Sequence, residues 1–217
     1  MKKKSFAIVL SGCGVYDGAE IHEAVFTMLA IDQQGADYQL FAPNISQMHV
    51  VDHLSGNPTK ESRNVLVEAA RIARGKITSL AEYKAQSYDG LIFPGGFGVA
   101  KNLCTFALEG TNCAVDPIVE QAITETHKAS KPIGALCISP VLIAKVLQKV
   151  DVTIGTDKET AEAILAFGAT HSKTNHGEVV VDRKNKIVTT PCYMLDSTIK
   201  QIYDGAFNLV EKVMELS

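Results

Sequence analysis

The stretch Lys131-Pro132-Ile133-Gly134-Ala135-Leu136-Cys137-Ile138-Ser139-Pro140 constrains the fold more than any other part of the chain. An apolar run without alternation is what a parallel strand covered on both faces requires. Pro140 stands where a helix can begin, and Val141-Leu142-Ile143-Ala144 continues it with apolar residues. A buried strand that turns sharply into a helix lifts the turn residue out of the sheet. It also faces that residue, here Cys137, with the free N–H groups of the helix start. The position predicts a thiol of lowered pKa that acts as a nucleophile. A buried core cysteine is the competing reading, and the rest of the chain has to decide between them.

At 217 residues, with no repeat, low-complexity tract or linker, the chain reads as a single α/β domain over 1–217. A formal net charge of −3 gives no reason to expect a nucleic-acid partner. No apolar window reaches the length of a membrane span. Lys2-Lys3-Lys4 followed by Phe6 to Leu10 and Ser11-Gly12-Cys13 imitates a lipoprotein leader. The apolar part is only five residues, short of the ~7–15 of a secretory core, so the segment reads as a first strand. The five cysteines, at 13, 104, 113, 137 and 192, are odd in number and lack a C-x-x-C pair. That argues against a disulfide framework or zinc ribbon and predicts a reducing, cytoplasmic location.

Taken in order, Ser5 to Leu10 predicts a buried strand that ends in the turn Ser11-Gly12-Cys13-Gly14. The G-x-G after it lacks the third glycine of a dinucleotide fingerprint. A helix follows over Glu20 to Gln34, with Ile21, Val25, Met28 and Leu29 on one face and Gly35 as its stop. Asp37 to Ala42 is a second strand, and Asn44 to Thr59 is irregular. His49 and His53 are spaced to share a metal on a helix, but Val50-Val51 between them suits a strand and no third ligand follows, so no metal is expected. Lys60 to Arg74 predicts a helix, and Gly90 to Phe93 a third strand. Asp116-Pro117 opens a helix to Ala129 as N-cap and first-turn pair. Val152 to Asp157 reads as a short strand and turn before a helix to Phe167. Glu178 to Asp182 and Lys186 to Thr190 alternate as an antiparallel hairpin, and an amphipathic helix with Ile199, Ile202, Phe207, Leu209 and Val210 closes the chain.

Two further features bear on Cys137. Pro94-Gly95-Gly96-Phe97-Gly98 follows a strand expected beside the one that carries the cysteine, and adjacent glycines let backbone N–H groups turn toward a bound oxyanion. Both turns would open on the carboxyl edge of the sheet, where open α/β sheets bind ligands. A thiol enzyme needs a proton carrier, and Asp17, Glu20 and Glu23 lie near the first turn. Glu20 and Glu23, three residues apart, share a helix face.

The run Ser11-Gly12-Cys13-Gly14-Val15-Tyr16-Asp17-Gly18-Ala19-Glu20-Ile21-His22-Glu23 resembles the opening of the ElbB proteins. These are amidotransferase-like proteins of the ThiJ/PfpI superfamily that are associated with isoprenoid biosynthesis. The resemblance extends through Glu61 to Leu66, Pro94 to Gly98, Ala100 to Leu103, Thr153 to Asp157 and Asn185 to Pro191. It implies a flavodoxin-like, class I glutamine amidotransferase-like three-layer sandwich, with a mostly parallel central sheet and a C-terminal β-hairpin. It also implies a glyoxalase that converts glyoxal to glycolate without glutathione, metal or other cofactor, and a homodimer.

Carried onto this sequence, the resemblance makes Cys137 the nucleophile and Glu23 its acid, with Glu20 as the alternative. The Gly96 and Ile138 N–H groups become oxyanion donors, and Gly12, Cys13, Asp17, Gly95 and Asn102 surround the pocket. The superfamily often places a histidine directly after the nucleophile or after the next strand, where this chain has Ile138 and Asp157. His171 is the nearest later histidine. Glutamine hydrolysis is therefore not expected. The reading from another class is a non-enzymatic module whose cysteine senses oxidants or marks a partner surface.

Overall fold

The computed structural model describes residues 3–217, so Lys2 of the basic cluster lies outside the described residues. The chain opens with β1 (Ser5–Val9), α1 (Ile21–Gln33) and β2 (Asp37–Ala42), then the small hairpin of β3 (Val51–Asp52) and β4 (Asn57–Pro58). Next come α2 (Val65–Ile72), β5 (Ile77–Ser79), β6 (Gly90–Phe93), a one-turn α3 (Phe106–Glu109) and α4 (Pro117–Lys128). The elbow joins β7 (Ile133–Leu136) to α5 (Pro140–Leu147), followed by β8 (Asp151–Val152), α6 (Lys158–Ala166) and β9 (Thr170–His171). The antiparallel pair β10 (Val180–Asp182) and β11 (Ile187–Thr190) leads to α7 (Ile199–Leu216).

One seven-stranded sheet runs in the order β10-β11-β7-β6-β1-β2-β5. All its pairings are parallel except β10 with β11. Successive sheet residues point to opposite faces, and both faces are buried. Ala7, Val9, Leu91, Phe93, Ile133 and Ala135 pack with α4 and α5 on one side. Phe6, Ile8, Leu10, Ile92 and Leu136 pack with α1, α2 and α7 on the other. This is the α/β, class I amidotransferase-like three-layer sandwich, and the C-terminal hairpin supplies the antiparallel edge.

Topology places the site. β1, β6, β7 and β11 are neighbours and parallel, so the turns after them emerge side by side at their carboxyl ends. Those turns are 11–20, 94–98, 137–139 and 191–194.

Three expectations are corrected. α2 begins at Val65 rather than Lys60, because Arg63 O accepts from Gln47 N at 2.8 Å and Asn64 caps the helix by accepting from Val67 N. The outward face of α1 carries Ile21, Val25 and Leu29, each more than a third exposed. Its inner face buries Glu23, Ala24, Thr27, Ala30 and Ile31 instead, because this helix approaches the sheet and α7 through small residues. Finally, β5 and the β3–β4 hairpin form in segments read as irregular or left without an element, although Val51 of the Val50-Val51 pair that suited a strand lies in β3.

Leu209 of α7 is fully buried, and its Cδ2 lies where a side chain at Gly134 would otherwise project. Replacing it with Ala should lower the unfolding free energy in urea by about 2–5 kcal/mol, with the cost set by how far the cavity collapses.

Candidate active site

Cys137 occupies the turn between β7 and α5 with φ of +59°, a left-handed conformation that costs a non-glycine residue about 1–2 kcal/mol. The surroundings hold it there. Its N–H donates to Thr190 O at 3.0 Å, Ser139 N donates to Leu136 O at 2.9 Å, and the buried Ser139 hydroxyl donates to Pro94 O at 2.9 Å. The last of these ties the elbow to the glycine-rich turn after β6. Such strained strand-to-helix turns expose a nucleophile at the edge of an α/β sheet.

Of the three carboxylates, Glu23 is the one at the sulfur. Its carboxyl is fully buried, accepting from Gly95 N at 2.9 Å through Oε2 and from Tyr193 N at 3.3 Å through Oε1. The Cys137 thiol sits beside it, and each group shifts the other's proton affinity. A methyl group at Gly95 would collide with Cys137 Cβ, sit 2.6 Å from Glu23 Oε2 and 3.0 Å from Cys137 Sγ. Gly95 is thus the gap through which acid and thiol meet. Glu20 is instead the N-cap of α1, with Oε2 accepting from Glu23 N at 2.7 Å. Asp17 is also structural, since its Oδ2 accepts from Val51 N at 2.7 Å.

The electrostatics overturn the expectation of a low-pKa thiol. Burial pushes the Cys137 thiol well up, and the Glu23 carboxyl beside it adds to the rise. N–H groups of Gly96 and Ile138 that donate toward the sulfur offset only part of this. Glu23 is itself pushed up to about 8, first by desolvation and then by the charge of Glu20. Desolvation of a buried residue, 7 % exposed, outweighs the partial charge of a helix N-terminus. Below about pH 8 the Glu23 carboxyl is therefore held protonated, and the thiol, raised well above its ordinary value, keeps its proton beyond that point.

Cys137 forms one wall of a cavity of about 300 Å³. Gly96 and Ile138 also line it, but Gly12, Cys13, Asp17, Gly95 and Asn102 do not. Gly12 packs its Cα against Gly18, and Asn102 clamps three loops by donating to Ser11 O and Asp17 O and accepting from Met48 N. Burial raises the Cys13 thiol, with Glu68 and Asp17 adding to the rise and Arg71 and Arg63 offsetting part of it. The cavity walls that the sequence reading missed are Val15, Phe97, Phe106, Tyr193 and Met194. Tyr193 and Met194 follow β11, which neighbours the elbow strand, so the turn after that strand was the available signal. Cys192, in the same turn, is buried and its thiol is pushed well up by desolvation.

No histidine lines the cavity among the described residues, and His171 Nε2 is spent on Ile154 N at 3.3 Å. No cluster of three or more potential metal ligands occurs among the described residues, His49 and His53 included. No helix there is long and apolar enough to cross a membrane.

Fold and elbow define a protein with a class I amidotransferase-like domain. An isoprenoid biosynthesis protein with amidotransferase-like domain from Ehrlichia chaffeensis superposes with a TM-score of 0.91 at 37% identity, covering 97% of this chain and 99% of that one. A ThiJ/PfpI domain protein from Brachyspira murdochii, at 18% identity and TM-score 0.62 over the full length of both chains, shares the fold. No protein-family model matches the chain.

Among curated proteins, the chain is 53% identical over 221 residues to the human glutamine amidotransferase-like class 1 domain-containing protein 3, mitochondrial, covering 97% of this chain and 82% of that protein. It is 37% identical over 232 residues to the zebrafish ES1 protein, mitochondrial, covering 98% and 86%. The chain belongs to this ES1 family. These relatives also correct the cytoplasmic expectation, since they are mitochondrial proteins. Unpaired cysteines distinguish reducing from oxidising surroundings, and that criterion does not separate the cytoplasm from other reducing compartments.

The raised Glu23 carboxyl has a measurable consequence. Its folded-state proton is held up to about pH 8, against an ordinary value of 4.5. The stabilisation this represents is complete below 4.5 and is lost as pH rises through 8. Thermal unfolding of the native protein should therefore fall from pH 5 to pH 9, and Glu23→Gln should flatten that fall; parallel curves for the two proteins would contradict a buried, neutral Glu23.

Proposed function

We propose that the protein is a cofactor-independent glyoxalase that converts glyoxal and water to glycolate. The observation that carries this reading is the buried Glu23 carboxyl held against the Cys137 thiol at the edge of a cavity, without a histidine. Glyoxalase chemistry needs a sulfur to form a hemithioacetal and a proton carrier beside the carbon, and these two groups supply both.

In the singly protonated pair, sulfur adds to one aldehyde carbon as its proton passes to Glu23. The new oxyanion lies against the Gly96 and Ile138 N–H groups, where preorganised donors stabilise it, and takes the proton from Glu23. Glu23, now a carboxylate, removes the hydrogen from the sulfur-bearing carbon to give an enediol and returns a proton at the second carbon. The hydroxyl proton moves to the second oxygen, which leaves a thioester of glycolate. The first carbon is oxidised and the second reduced, with no external electron carrier. Water, deprotonated by Glu23, then cleaves the thioester, and the thiol recovers its proton.

The site's electrostatics favour this reading over a redox sensor. A sensor needs an accessible thiolate at neutral pH, whereas Cys137 is buried and its thiol is pushed up. The amidotransferase-like label of its relatives does not transfer as activity, because a glutaminase needs a histidine at the nucleophile.

Cys137→Ala should abolish glyoxal turnover measured as glycolate release, and Glu23→Gln should reduce kcat by about 10²–10⁴-fold. Because the pair must lose one proton to work, kcat/KM should rise with pH and level off above about 8, following the Glu23 value. Retained turnover in Cys137→Ala, or a rate that falls across that window, would refute the mechanism.

A further inference from the structure

The walls of the cavity are poorly matched to glyoxal, a two-carbon dialdehyde. Beyond the sulfur and its two N–H donors, the surface is built from Val15, Phe97, Phe106, Ile138 and Met194. At about 300 Å³ it is at the lower end of pockets that hold a ligand with a ring. Phe106 is positioned rigidly: its ring packs edge-on against Phe167 at 6.3 Å, and its strand-like base is closed by Thr105 N donating to Ala114 O at 2.9 Å. Phe97, which lines the cavity, is 51 % exposed. Its ring is oriented with Lys101 Nζ 5.3 Å from the centroid. The polar side chains on the rim are Asp157 and Thr160, with Asp157 Oδ1 accepting from Thr160 N at 2.8 Å.

We infer that the substrate class of this site is an α-oxoaldehyde whose keto carbon bears an uncharged apolar group of about ring size, seated between Phe97, Phe106 and Met194. The inference rests on the glyoxalase reading and deepens it. The aldehyde carbon reaches Cys137 and the substituent fills the apolar end. Asp157 is the only charged side chain that lines the cavity among the described residues, and its carboxylate disfavours an anionic substituent. The same chemistry then balances as oxoaldehyde plus water giving an α-hydroxy acid. The aldehyde carbon becomes the carboxyl and the keto carbon the alcohol, with the transferred hydrogen on the latter. Each methylene buried by the substituent should contribute about a fourfold gain.

The test is kcat/KM for glyoxal, methylglyoxal, phenylglyoxal and 4-carboxyphenylglyoxal, each divided by its rate of addition to N-acetylcysteine to remove intrinsic carbonyl reactivity. Native protein should favour phenylglyoxal over glyoxal by at least about tenfold, with methylglyoxal between them and the carboxylated analogue below phenylglyoxal. Phe106→Ala should shrink the phenylglyoxal-to-glyoxal ratio at least about threefold, mainly through KM. Met194→Ala serves as the parallel wall variant should Phe106→Ala fail to fold. A ratio of one or less, with glyoxal turned over by native protein and not by Cys137→Ala, overturns the substrate class and leaves the glyoxalase reading standing. An unchanged ratio in the wall variants likewise overturns it. Turnover of no oxoaldehyde above the Cys137→Ala background removes the glyoxalase reading and this inference with it.

Discussion

A single carboxyl group, that of Glu23, is held without solvent between two backbone donors and a thiol, and the geometry of the site follows from that contact. Burying a carboxyl is costly unless it is hydrogen-bonded or neutral. The chain meets both conditions, with N–H groups of Gly95 and Tyr193 on its two oxygens and a pKa raised to about 8. Those donors come from the turns after β6 and β11, while Cys137 comes from the turn after β7. One side chain from α1 thus ties together three strand ends that the parallel sheet already sets side by side. The sheet order is what makes the contact available, and the contact is what gives the sheet edge its chemistry.

Glycine makes that approach sterically allowed. A Cβ at Gly95 would fill the space between acid and sulfur, and one at Gly96, where φ is +100°, would run into the backbone of Gly18 and Glu20. Gly18 is likewise pressed against Gly12 and Cys13. The first-strand turn and the double-glycine turn therefore interlock through backbone. Gly14 N donates to Ala19 O, Glu20 N to Gly95 O, and Gly98 N to Gly18 O, each at 2.9 Å. The residues that the resemblance marked as pocket, Gly12, Asp17 and Asn102, are the fasteners of this interlock. They hold the turns that hold the acid.

The parts of this arrangement that could be read in the sequence are those governed by local chemistry. The apolar run ending at Cys137-Ile138-Ser139-Pro140 specified strand, turn and helix in ten residues, and Asp116-Pro117 marked a helix start that the structure keeps, with Asp116 as N-cap and Pro117 first in the helix. Glu20 and Glu23 could not be separated by spacing. Capping decided it, because the residue at the N-cap turns its carboxyl back onto the helix N–H groups while the one three positions on is free to point inward. The apolar cavity wall was not legible. Phe97, Phe106 and Met194 lie far apart in sequence and meet only because β6, β7 and β11 are neighbours. α1 misled for a related reason: its large apolar residues face outward, and its buried face is built from alanine, threonine and the catalytic candidate.

The sign of the thiol's shift sets the chemistry more firmly than the identity of the nucleophile does. A helix N-terminus is worth a fraction of a charge, screened where solvent reaches it. At Cys137 solvent does not reach, and the nearest full charge available is a carboxylate. An isolated thiolate is therefore unfavourable, and so is an isolated carboxylate. What the site tolerates is one negative charge distributed over sulfur and oxygen, neutralised in part by the N–H groups of Gly95, Tyr193, Gly96 and Ile138. Such a pair suits a reaction in which the proton must leave sulfur, return to oxygen, and then be taken from carbon and given to carbon, all within one enclosed volume. Through those steps the charge passes between the Glu23 carboxylate and the substrate oxygens, so the total charge that the buried site must accommodate never changes.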